Sequence, residues 1–123
     1  MSRENLWVIN SFIGCVSDWR TDMRTHVTQH SLLRRQIEAH NWPLVKRSRV
    51  RFAIQQVKNI KNRYDELQGD VHQFEEMIRR REVLTREEMM LLVVFMIKTT
   101  EMVQDSIKLT KSIRKLLLSA QRR

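Results

Sequence analysis

The chain has 123 residues, enough for one domain with a modest core. Two Gly and one Pro supply too little turn chemistry for a sheet, so a nearly all-helical protein is expected. Lys and Arg outnumber Asp and Glu 23 to 14, for a net charge of +9. That excess either serves solubility alone or points to an anionic partner: nucleic acid, lipid headgroups or an acidic protein surface. The lone Cys15 excludes an internal disulfide and fits a reducing compartment. The first apolar stretch is interrupted by Asn10 and Ser11 and lacks a cleavable layout, so an intracellular location, cytoplasmic or nuclear, is expected. No stretch reaches the roughly 20 apolar residues that cross a bilayer.

Residues 3 to 40 read as one long helix. Ile9, Phe12, Val16, Trp19, Met23, His26, His30, Leu33 and Ile37 recur in steps of three and four, which makes a heptad seam. Thr21, Thr25 and Thr28 are β-branched weak points, and a break there with Ser31 as a new cap is the alternative. Asn41-Trp42-Pro43 is the first punctuation, with Asn41 as the expected cap of the next helix. Helix two is expected from Pro43 to Arg81, with a seam of Val50, Ala53, Val57, Ile60, Tyr64, Leu67, Val71, Phe74 and Ile78. Gly69 lies inside it, yet the seam keeps phase across it, so a continuous helix is expected.

Glu82-Val83-Leu84 is the second connection. Thr85 and Glu88 form a capping box, with Leu84 and Met89 placed as its hydrophobic staple. Helix three then runs close to Arg123 on a seam of Leu92, Met96, Thr99, Val103, Ser106 or Ile107, Thr110, Ile113 and Leu117. Met102 and Leu109 fall off that seam. From Met89 to Ile97 nine residues are apolar without a break. A helix apolar all round must be covered all round.

Three helices of similar length with short connections predict an all-α, antiparallel up-down-up bundle. In outline this resembles spectrin-like repeats and the regulatory three-helix domains of SNARE proteins. The likeness is one of architecture and does not assign a function. Met90, Val93, Val94, Phe95 and Ile97 exceed what two neighbouring helices need. They mark an expected interface with another helical protein or a second copy, and an oligomer would cover them.

Catalytic chemistry finds little support. Asp22, His26 and His30 share a helix face, and His72 and Glu75 lie three apart, but few carboxylates point inward. Half-buried histidines with hydrogen-bonded nitrogens are the better reading, and Cys15 reads as a small buried residue. There is no glycine-rich phosphate loop and no nucleophile constellation. No enzyme, metal or cofactor is expected.

Charge is more telling. The end of helix one, the start of helix two and the end of helix three share one pole. They carry Arg34, Arg35, Lys46, Arg47, Arg49, Arg51, Lys58, Lys61, Arg63, Lys108, Lys111, Arg114, Lys115, Arg122 and Arg123 against a single acid, Glu38. The cations from Lys46 to Arg63 are expected to form one wall, with those of helix three alongside. The expected function is therefore a non-enzymatic helical interaction or assembly module with a basic pole for an anionic partner. The alternatives are a nucleic-acid-binding protein that grips the phosphate backbone, or peripheral docking to anionic membrane lipid.

Overall fold

The computed structural model describes residues 3–121. It is an up-down-up bundle of three helices: α1 (Arg3–Glu38), α2 (Arg47–Arg79) and α3 (Arg86–Gln121). A one-turn 3-10 helix, Leu44–Lys46, leads into α2. No strand occurs among the described residues, and none of their helices is long and apolar enough to cross a membrane. α1 runs unbroken through Thr21, Thr25 and Thr28. Each of these hydroxyls donates to the carbonyl four residues back, at 2.9 to 3.4 Å.

All three helices contribute to the core. Phe12, Val16, Trp19, Met23 and Ile37 are almost fully enclosed, and Val57, Ile60, Leu67 and Val71 meet them from α2. Each such side chain contributes about 1.5–3 kcal/mol of burial. Gly69 keeps a helical backbone, as the unbroken phase implies.

The first connection differs from expectation. Helix two does not start at Pro43, and Asn41 does not cap it: neither the 3-10 turn nor α2 has a side-chain hydrogen bond at its N-cap. Pro43 is extended (φ −61°, ψ 151°), and the Lys46 N–H donates to its carbonyl at 2.9 Å. Trp42 does the joining instead. Its buried indole N–H donates to the Ile37 carbonyl at 2.7 Å, which satisfies the end of α1. The second connection begins with a Schellman turn: Glu82 N–H donates to the Met77 carbonyl, and Arg81 N–H to that of Ile78, both at 3.0 Å. Arg81 stands at φ 57° where glycine is usual, so the helix stops short of it. The capping box then opens α3. Glu88 N–H donates to Thr85 Oγ1 at 3.1 Å, and Thr85 N–H to Glu88 Oε1 at 2.8 Å. Leu84 packs on the core, to which Met89 also belongs.

The third seam needs correction. Phe95, Met102 and Leu109 are buried, whereas Met96, Val103 and Leu117 are only half-buried. The reason is that α3 serves two neighbours. Phe95, Met102 and Leu109 recur every seven residues on one side of the stripe, where Phe95 packs edge-on against Phe74 of α2 at 5.3 Å. Thr99, Ser106 and Thr110 form the other side, against α1. Their small side chains let α1 and α3, the most closely packed pair, approach. Their hydroxyls are satisfied by α3's own carbonyls at Met96, Met102 and Ser106.

Candidate interaction surfaces

The apolar start of α3 divides into an inner and an outer face. Met89, Leu92 and Phe95 turn inward. Met90, Val93, Val94 and Ile97 turn outward, at 63, 42, 40 and 53% exposure. Phe95, placed with the interface by sequence, is 7% exposed and belongs to the core. The outer four stand at i, i+3, i+4 and i+7, so they make one stripe about 10 Å long. Leu91 flanks it, and Thr100, Glu101 and Gln104 continue the same face as polar surface. Trp7 is 69% exposed at this same end of the bundle.

At the other pole the cations fall on two flanks rather than one wall. Arg34 of α1 faces Lys58 and Lys61 of α2 across a groove of about 320 Å³ floored by Val27 and Val57. Arg51 sits one heptad before Lys58 on the same side of α2. Arg63 lies on the opposite flank and bonds Asp105 of α3 at 3.1 Å. Lys108, Lys111, Arg114 and Lys115 are exposed along α3, and Arg35 and Arg49 are exposed as well. Arg122 and Arg123 lie outside the described residues.

Several of these cations already have partners. Arg34 pairs with Glu38 at 2.7 Å, and Lys61 with Asp65 at 3.4 Å. Such exposed pairs are worth ~0–1 kcal/mol, so they leave the groups open to a competing anion. Lys46 is different: its Nζ donates to the Ser119 carbonyl at 3.2 Å and to Oγ at 3.0 Å, which ties α3 to the first connection. Arg47 Nε donates to the Trp42 carbonyl at 3.2 Å. Both cations therefore also hold the tip of the α1–α2 hairpin in shape.

Of the candidate histidines, His30 is buried, His26 is half-buried and His72 is exposed. His30 is 2% exposed, with Nε2 3.1 Å from the Ser106 carbonyl and 3.0 Å from Thr110 Oγ1. A carbonyl only accepts, so Nε2 carries the proton. Burial pushes the His30 pKa below its ordinary value and favours the neutral ring. His26 stacks at a tilt beside it, ring centres 6.3 Å apart, with Nδ1 buried and unbonded. Among the described residues no three His, Cys, Asp or Glu side chains converge as metal ligands would. Cys15 is half-buried, 3.4 Å from Thr99 Oγ1.

Glu75 does not pair with His72, which instead lies 4.0 Å from Glu76. Glu75 takes a two-pronged grip from Arg20 of α1, with Nη1 to Oε2 at 2.6 Å and Nη2 to Oε1. Arg20 Nε also donates to Gln68 Oε1 at 2.8 Å, and Gln68 donates to the Tyr64 hydroxyl at 3.2 Å. This α1–α2 clamp was not evident from sequence. The available signal is slight: Arg20 and Glu75 each sit one residue past a seam position, Trp19 and Phe74. The chain matches no family model, no curated protein and no solved structure.

Proposed function

We propose that this chain is a non-enzymatic helical interaction module. It assembles, with a second copy or another helical protein, through the outer stripe of α3, and it presents a basic pole to an anionic partner. The observation that carries this reading is the stripe of Met90, Val93, Val94 and Ile97, which is apolar, contiguous and left open by the bundle. An apolar row at this spacing is what a partner helix reads, each residue filling a gap between residues of the opposite helix. The basic pole supports the second half: no carboxylate occurs between Ala39 and Tyr64, and neighbouring cations repel unless an anion relieves them.

Sedimentation velocity over a wide range of dilution tests the assembly. Wild type should form dimers or larger species that dissociate on dilution. Val94→Glu with Ile97→Glu should give a folded monomer, because both residues are open to solvent. Phe95→Ala should instead lower stability by about 3–5 kcal/mol, as a core residue does. A wild type that stays monomeric at every concentration, and that captures no partner which the double variant loses, would end the proposal.

A further inference from the structure

We infer that the tip of the α1–α2 hairpin docks on a bilayer surface that carries anionic headgroups. This rests on the anionic-partner reading of the basic pole and names that partner. Leu44, Val45 and Phe52 are 79, 81 and 65% exposed, among the most open apolar side chains of the described residues. They are interleaved with exposed Arg47, Arg49 and Arg51. Phe52 lies three residues after Arg49, so the two share a flank of α2. Exposed aliphatic groups threaded among arginines, with no acid from Ala39 to Tyr64, match a membrane interface. There the apolar groups enter the acyl boundary while the cations stay with the phosphates.

The tip is held in this form rather than loosely placed. Trp42 on one side of Leu44–Val45 is buried and bonded to Ile37, and Lys46 on the other is bonded to Ser119. With both neighbours anchored inward, Leu44 and Val45 face out. Little ordering then remains to be done on docking. Leu118 of α3, 53% exposed beside Lys115, adds a second apolar and basic point at this pole. Nucleic acid fits less well. Phe52 has a face on which a base could stack, but Leu44 and Val45 have none, and a phosphate backbone offers them no apolar cover.

Vesicle flotation of the full chain tests the proposal, with phosphatidylcholine vesicles with and without phosphatidylserine, and with duplex DNA and single-stranded RNA assayed in parallel. Wild type should float with the phosphatidylserine vesicles, more weakly as salt rises, and not with phosphatidylcholine alone. Leu44→Ser with Val45→Ser keeps every charge and changes only solvent-facing groups. It should retain its helical circular dichroism and lose about tenfold or more in partitioning, the worth of two partly inserted aliphatic side chains. Undiminished partitioning of this variant overturns the proposal, because charge alone then accounts for binding. Binding to DNA or RNA without vesicle binding overturns it too, while it keeps the anionic-partner reading. Binding to none of the probes overturns it as well and leaves an acidic protein surface as the anionic partner of this pole.

Discussion

Acid should destabilise this protein as pH falls below the ordinary histidine range, and His30 is the reason. Its ring lies in the α1–α3 seam at 2% exposure. The groups that face it are neutral or cationic: Ser106 and Thr110 from α3, His26 on its own helix, and Arg34, Lys58 and Lys61 around the adjoining α1–α2 groove. None of these offsets a second proton. The folded pKa is therefore depressed, while the unfolded chain protonates near the ordinary value of 6.5. Below that value the unfolded state binds more protons than the folded one, so stability falls as pH falls. The slope approaches about 1.4 kcal/mol per pH unit until the folded pKa is reached. The loss ends where pH reaches the folded pKa, so its total follows from how far that value lies below 6.5. Urea unfolding at half-unit pH steps reads it directly. His30→Gln keeps an N–H for the Ser106 carbonyl but cannot titrate, so it should flatten the curve in this window. Wild-type stability that is level from pH 7 to 5, or a slope that survives the substitution, refutes the reasoning.

Two further changes probe the connections and the clamp. Arg81→Gly should raise stability by up to about 1 kcal/mol, since glycine accepts the left-handed φ of 57° without strain. Thermal melting checks the sign, and a lower midpoint contradicts the Schellman assignment. Arg20→Ala and Glu75→Ala should each cost about 1–2 kcal/mol, below the range for charge-assisted bonds in full burial because the pair is 24% and 30% exposed. A double-mutant cycle should return a coupling energy clearly above zero, and strict additivity would show that the contact is not energetic.

How far the sequence could be read depended on contrast. In α1 and α2 polar residues interrupt the apolar ones often enough to fix a phase, and most of the expected seam is buried, with His26, Tyr64 and Ile78 half-buried. From Met89 to Ile97 every residue is apolar, and a pattern without contrast carries no phase. That is why Phe95 and Val94 could not be told apart before the bundle was in view. The capping box was legible because its two bonds are local. The Arg20–Glu75 grip joins residues 55 apart, for which no local spacing exists. The basic pole was legible as a count but not as a shape. Which cations are tied down, such as Lys46 to Ser119 and Arg63 to Asp105, depends on neighbours brought in by α3.

The close pairing of α1 with α3 also sets the order in which this chain can fold. Contacts across that seam join positions some 80 residues apart, as between His30 and Thr110. The two hairpins around Trp42 and Val83 close short loops, but neither contains the tightest interface. Folding speed falls as contacts become more distant in sequence. This bundle should therefore fold more slowly than helical bundles whose best packing lies between successive helices. During synthesis Phe12, Val16, Trp19 and Met23 must wait, with only α2 as cover, until α3 as far as Thr99 to Ser106 has left the ribosome.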